Sequence, residues 1–172
     1  MNNYGELLTP TTLLFTRLLP GPIDRVWDFI TDAEKRSKWF CGGTSGLVPN
    51  QEFKFVFHNS TLGSPPVDTP AKYKEYGEGF ESPARVIKAE KPSLFIIEWE
   101  GIVTFKLEEV DDKVKLTLTH ENLADTPETR IGTLAGWHTH LDILVDVSNN
   151  NEAKSFWTQH MKLEDEYEAR LA

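Results

Sequence analysis

The spacing of the apolar residues changes once in the later part of this chain, and this change constrains the fold more than any other feature. Up to about residue 123, several segments alternate apolar with polar residues, as in QEFKFVFH at 51–58. From Pro127 to Ser148 the apolar residues recur instead at helical spacing. A period of two is typical of a strand with one buried face, and a period of 3.6 is typical of an amphipathic helix. The sequence therefore predicts a sheet followed by a long helix.

The strands of this sheet are predicted from alternation or from apolar runs that end at turn-forming residues. The turns at Glu100–Gly101 and Asp111–Lys113 are short enough for tight hairpins, so the later strands form an antiparallel meander. The predicted strands are 11–20, 51–58, 80–90, 93–101, 102–110 and 114–123.

Helices are predicted on both sides of the meander. Pro22 suits the first position of a helix that runs to about Ile30, and Thr31 or Asp32 can cap a second short helix that ends near Phe40. Thr126 is a natural cap for the long helix, and the residues 153–171 predict a final amphipathic helix.

Together these elements predict an α+β fold in which a curved antiparallel sheet wraps around a long C-terminal helix, with two short helices after the first strand. An antiparallel sheet with one polar face must cover its apolar face, and the long helix is the obvious cover. The concave gap between the two layers is where a small apolar ligand would bind.

The composition excludes several classes of partner. The formal net charge of -9 argues against a nucleic-acid surface and against binding to anionic membranes. Cys41 is the only cysteine, so no internal disulfide can form. The first residues lack a basic region and a long apolar stretch, which favours a cytoplasmic protein without a signal peptide or membrane span.

Five segments carry a family resemblance, and in chain order they are LLFTRLLP, PIDRVWDFITDAEKRSKWF, SLFIIEWEG, TLTHENL and GWHTHLDIL. With these segments the chain resembles the START-like superfamily, whose members have the helix-grip fold, and within it the family related to the activator of heat-shock protein 90 ATPase. This resemblance implies one START-like domain over residues 1–172, with a core at 11–148 and a helical C-terminal extension at 149–172. The Pro-rich loop at 59–78 is longer than is usual in the family.

The resemblance implies a hydrophobic cavity rather than one reaction, because the superfamily includes lipid and hormone binders, polyketide cyclases and chaperone-binding proteins. Our hypothesis is that the protein binds a small apolar or aromatic molecule between the sheet and the long helix. One alternative is a chaperone-assisting interaction module with a role in the stress response, and another is an enzyme of the cyclase or hydrolase type. No cofactor is predicted, and the sequence leaves both a monomer and a homodimer open.

The candidate ligand-binding residues are large side chains on the inner faces of the strands and of the long helix. Trp39 and Phe40, beside two glycines, are expected at the cavity entrance. A dense core is the alternative interpretation for part of the set. The apolar candidates are Trp39, Phe40, Phe53, Phe55, Phe57, Phe95, Trp99, Phe105, Trp137 and Leu141.

Two histidines complete the candidate set. His120 is on the inward phase of its strand, and His138 lies at the flank of the inward helix face, so either could meet a polar ligand group or act as an acid or base. The alternative is a pair of half-buried histidines with protein partners. His138 and His140 face apart at i,i+2, and His138 with Asp142 supplies only two ligands, so no metal site and no catalytic residue are predicted.

The loop at 59–78 is predicted to gate the cavity. Pro65, Pro66 and Pro70 limit its conformations, and Tyr73 and Tyr76 bring rings that could close over an apolar ligand. The alternative is a passive surface insertion.

Overall fold

One antiparallel sheet of eight strands forms the framework of the protein. The structure, a computed structural model, describes residues 2–172. The spatial order of the strands is β1-β2-β8-β7-β6-β5-β4-β3. Their bounds are β1 (Glu6–Thr9), β2 (Thr12–Pro20), β3 (Gly42–Gly43), β4 (Glu52–Phe57), β5 (Phe80–Glu90), β6 (Leu94–Glu98), β7 (Ile102–Val110) and β8 (Lys113–Glu121).

Four α-helices accompany the sheet, and together they confirm the predicted helix-grip architecture of the α+β class. Their bounds are α1 (Ile23–Thr31), α2 (Ala33–Arg36), α3 (Pro127–Ser148) and α4 (Phe156–Leu171), with two 3₁₀ helices at Asn59–Thr61 and Ala71–Tyr76. The cap of α3 is the predicted one, because Oγ1 of Thr126 accepts a hydrogen bond from the amide of Thr129 at 3.1 Å.

The second short helix is shorter than the sequence predicts, ending at Arg36 rather than near Phe40. The guanidinium of Arg36 turns back and donates hydrogen bonds to the carbonyls of Cys41, Gly42 and Thr44 at 2.8–3.0 Å. The backbone continues in turns beyond Arg36, where the amide of Phe40 donates a hydrogen bond to the carbonyl of Arg36 at 2.9 Å, and the guanidinium fastens the segment that follows.

The inner face of the sheet has the side-chain alternation that the sequence predicts. Along β8 the buried residues are Val114, Leu116, Leu118 and His120, while the residues between them keep more exposure. Phe15 of β2 pairs with Leu118, and Phe105 of β7 pairs with it from the other side. Apolar side chains of neighbouring strands therefore form one continuous layer beneath α3.

The helix α3 is covered on two sides, by the sheet and by α4, which packs along it. Side chains all around α3 are therefore buried, including His138, Thr139 and His140 in succession. Within residues 2–172, no helix combines enough length with enough apolar character to cross a membrane.

Candidate ligand-binding cavity

A cavity of about 580 Å³ opens beside the N-terminal half of α3. One wall is α3 from Pro127 to His140, and α4 forms a second wall from Phe156 to Glu168. The 3₁₀ helix at Ala71–Tyr76 and the β6–β7 hairpin close the other sides. The volume is within the range of small-molecule sites.

Aromatic rings supply most of the large side chains in this wall. Phe40 stacks on Trp137 with ring centroids 5.0 Å apart, and Tyr73 stacks on Trp157 at the same separation. Contacts of this kind hold the rings in defined orientations, so the wall is preformed. The aromatic lining residues are Phe40, Phe57, Tyr73, Tyr76, Phe80, Trp99, Trp137, Phe156 and Trp157.

Five of the twelve side chains proposed from the sequence line this cavity. They are Phe40, Phe57, Trp99, His120 and Trp137. The other apolar candidates lie in the core outside the cavity lining, and these are Trp39, Phe53, Phe55, Phe95, Phe105 and Leu141.

The core positions have clear packing reasons. Trp39 is fully buried, and its Nε1 donates a hydrogen bond to the carbonyl of Phe29 at 2.7 Å, so its ring fastens α1 instead of bordering an entrance. Phe95 lies beneath α1, where its ring contacts Trp27 edge-on at 5.9 Å. The short helices therefore cover the part of the inner sheet face that α3 leaves uncovered.

His120 lines the cavity, but both of its ring nitrogens have protein partners. Nδ1 accepts a hydrogen bond from Nε1 of Trp137 at 3.0 Å, so Nε2 carries the proton and donates it to the carbonyl of Glu100 at 2.9 Å. Burial lowers the pKa of His120, which favours this neutral form. Its chemical role is therefore to orient Trp137.

His138 faces away from the cavity, toward β2 and α4. Its Nδ1 lies 2.8 Å from the hydroxyl of Tyr167, and its Nε2 lies 3.3 Å from Oδ2 of Asp142. Arg17 contacts the other oxygen of this carboxylate, Oδ1, at 3.0 Å. Burial alone would raise the pKa of Asp142, but His138 and Arg17 outweigh it and lower that pKa. Among residues 2–172, no group of three or more His, Cys, Asp or Glu side chains could hold a metal ion.

His140, which the sequence interpretation passed over, lines the cavity instead. Its Nδ1 lies 2.9 Å from the carbonyl oxygen of Trp39. Burial lowers the pKa of His140 to about 3, although the bond to Trp39 opposes this shift. His138 and His140 do face apart, as their spacing requires, and the structure reverses which of them is directed toward the gap.

The helix α4 contributes a second polar group that the sequence did not indicate. Nε2 of His160 lies 3.0 Å from Oε1 of Glu164 and 3.2 Å from the hydroxyl of Tyr73, while Lys72 contacts the other oxygen of Glu164 at 3.0 Å. Burial, and then the charge of Lys72, lower the pKa of His160 to about 4. This cluster fastens the 3₁₀ helix at Ala71–Tyr76 onto α4.

The rim of the cavity is acidic. The exposed carboxylates of Glu100, Glu128, Asp165 and Glu168 surround it. Lys72, the one Lys or Arg side chain that the described residues contribute to the lining, has its ammonium paired with Glu164. The rim therefore disfavours an anionic ligand.

Two glycines of α3 leave part of the cavity empty of side chains. A Cβ atom placed on Gly132 would lie 3.9 Å from the hydroxyl of Tyr73, and one on Gly136 would lie 3.9 Å from Cε1 of His160. Both distances are ordinary van der Waals contacts. Glycine in a helix interior costs roughly 0.5–1 kcal/mol relative to alanine, and here it leaves room in the cavity.

Comparisons with known proteins agree with this architecture. The model of the family described as activator of Hsp90 ATPase homolog 1-like protein matches residues 20–149. A Bordetella parapertussis protein solved by NMR is 33% identical, with 98% of this chain and 91% of that chain covered and a TM-score of 0.80. No curated protein matches the chain.

Two further structures are similar in fold alone. A conserved protein from Enterococcus faecalis is 18% identical, with coverage of 97% and 88% and a TM-score of 0.70. The Aha1 dimer from Colwellia psychrerythraea is 16% identical, with coverage of 79% and 94% and a TM-score of 0.61.

Proposed function

The chain belongs to the family of activator of Hsp90 ATPase homolog 1-like proteins, and from the cavity of this member we propose that it binds a small, uncharged aromatic molecule. The observation that carries the proposal is the cavity of about 580 Å³ with nine aromatic rings in its wall. Each Å² of apolar surface that a ligand buries there contributes roughly 25 cal/mol. A flat ring can also stack on preformed aromatic surfaces such as Trp137 and Trp157.

The acidic rim sets the charge that the ligand can carry. We expect the neutral dye N-phenyl-1-naphthylamine to bind about tenfold more tightly at low salt than the anionic 1-anilinonaphthalene-8-sulfonate, since the sulfonate approaches several carboxylates. The difference should shrink at high ionic strength. Fluorescence titrations of both dyes, with one-site saturation for the neutral dye, measure it.

A matched variant separates rim charge from ring shape. The substitutions Glu128→Gln and Glu168→Gln keep the size of two exposed rim residues and remove their charge, so they should reduce the preference for the neutral dye. Tighter binding of the sulfonate to the unaltered protein would contradict the assignment of an uncharged ligand. If neither dye saturates one site, the proposal of a ligand cavity fails.

The segment at 59–78 is proposed to act as a lid over this cavity. Tyr73 and Tyr76 line the cavity, and the ring of Tyr73 lies against Trp157 of α4. We expect the neutral dye to slow amide hydrogen exchange in residues 60–78, because a bound ring adds contacts that oppose local opening. Amides in the middle of β8, which lie outside the lid, provide an internal reference. Equal exchange rates with and without dye would indicate a passive insertion.

The family description supports a second candidate function, the stimulation of a chaperone ATPase. The family-model match over residues 20–149 is the observation in its favour. An increase in the Hsp90 ATPase rate on addition of this chain at low salt would support it. A small molecule retained by the purified protein in native mass spectrometry would support the ligand-binding function instead.

A further inference from the structure

We propose that the ligand is a neutral aromatic molecule with a hydroxyl or N–H group, which donates a hydrogen bond to Nε2 of His140. This inference rests on the proposed function, because it names the chemistry of the molecule that the cavity takes. It follows from the tautomer of one buried histidine and from the direction of its free nitrogen.

The backbone fixes the tautomer of His140. Its Nδ1 lies 2.9 Å from the carbonyl oxygen of Trp39, and a carbonyl can only accept a hydrogen bond. Nδ1 therefore carries the proton. Because burial lowers the pKa of this side chain to about 3, the ring is neutral near pH 7, and Nε2 has a free lone pair.

That lone pair is open to the cavity. His140 is only 5% exposed and lines the cavity, and Nε2 has no hydrogen-bond partner within residues 2–172. Nδ1 of His160 is completely enclosed without a partner, whereas Nε2 of His140 is not completely enclosed. The accessible part of His140 is thus an unpartnered acceptor that a ligand can reach.

The other two histidines of the lining cannot take this role. Both nitrogens of His120 are engaged, by Trp137 and by the carbonyl of Glu100. Nε2 of His160 is occupied by Glu164 and Tyr73, and its Nδ1 is enclosed. Among the histidines of the lining, His140 therefore supplies the free acceptor nitrogen.

The surroundings of His140 strengthen such a bond. Its ring centroid is 4.8 Å from that of Phe40 and 4.6 Å from that of Phe156. A hydrogen bond between aromatic rings and away from bulk water is electrostatically stronger than one in solution. A carboxylate lacks the donor proton and would meet the acidic rim, whereas a hydroxyl or N–H group satisfies the acceptor without a charge.

Three naphthalene probes test this inference by displacement of N-phenyl-1-naphthylamine. 2-Naphthol can donate a hydrogen bond, 2-methoxynaphthalene can only accept one, and 2-methylnaphthalene can do neither. We expect 2-naphthol to bind about tenfold more tightly than either of the other two. The substitution His140→Phe should bring the three affinities together. The control His58→Phe makes the same change at an exposed histidine outside the cavity lining and should preserve the preference.

A second measurement does not depend on a variant, since His140→Phe also removes the bond to the Trp39 carbonyl. With ¹⁵N-labelled histidine, the Nε2 resonance of His140 should move on addition of 2-naphthol and stay in place with 2-methylnaphthalene. Equal affinities of the three probes, or no movement of this resonance, would overturn the inference while their binding still supports the proposed function. Failure of all three probes and of the dye to bind would overturn both.

Discussion

The double substitution Gly132→Leu and Gly136→Leu is expected to weaken binding of N-phenyl-1-naphthylamine at least about 100-fold, which corresponds to about 2.7 kcal/mol. Both glycines line the cavity, and a Cβ atom at either position meets its nearest neighbour at 3.9 Å. Leucine side chains therefore fit there only by occupying the space that a ligand needs. Fluorescence titration measures the loss.

The same change should not destabilise the fold, and this distinguishes it from damage to the wall. Leucine is a far better helix former than glycine, so the free energy of unfolding should be unchanged or increased. The control with alanine at both positions should add about 1–2 kcal/mol of stability and leave most of the volume free. Wild-type affinity in the double leucine variant would place the dye outside this cavity.

The substitution Arg36→Met is expected to lower the free energy of unfolding by about 3–5 kcal/mol, the largest stability effect that we predict. The guanidinium is only 2% exposed and donates to three backbone carbonyls at 2.8–3.0 Å. Its Cζ also lies 4.8 Å from the ring centroid of Phe55. Methionine has similar length but no donor, so the three carbonyls would lose this partner, and the carbonyl of the buried Cys41 would be left unsatisfied. Urea unfolding curves of both proteins give the difference.

The neighbouring Lys35 provides the matched control for this prediction. Its ammonium pairs with Asp28 at 3.5 Å, and both side chains are more than 40% exposed. Lys35→Met should therefore change the free energy of unfolding by less than about 1 kcal/mol. A similarly small effect of Arg36→Met would mean that other donors reach the carbonyls of Cys41, Gly42 and Thr44.

The sheet could be predicted because its period is local. One buried face imposes alternation on each strand, as in Phe53, Phe55 and Phe57 of β4, whatever the rest of the chain does. The hairpin at Glu100–Gly101 was predictable because a short turn separates two apolar runs, and in the structure the three residues Trp99–Gly101 connect the paired Glu98 and Ile102. In contrast, β1 and the two-residue β3 are too short to produce a period.

The cavity-lining residues were only partly predictable, because both the sheet and α4 pack against α3. With the sheet on one side and α4 on the other, α3 has buried residues in almost every direction. The inward face of α3 therefore could not be deduced from its own sequence, and His138 was chosen where the structure directs His140 to the cavity. The wall residues Phe156, Trp157 and His160 could not be assigned without knowing where α4 docks.

The pairing of β2 with β8 determines when the polypeptide can complete its sheet. On one edge, residues 12–20 pair with the short strand β1, but on the other edge their partners are residues 113–121, so that edge of β2 stays unpaired until β8 exists. At 5–20 residues per second, a ribosome needs roughly 5–20 s to add the intervening stretch. During that interval the nascent chain exposes an alternating apolar strand, and closure then requires the slow capture of a distant segment. Biosynthesis thus leaves the sheet open at this strand until most of the protein has been made.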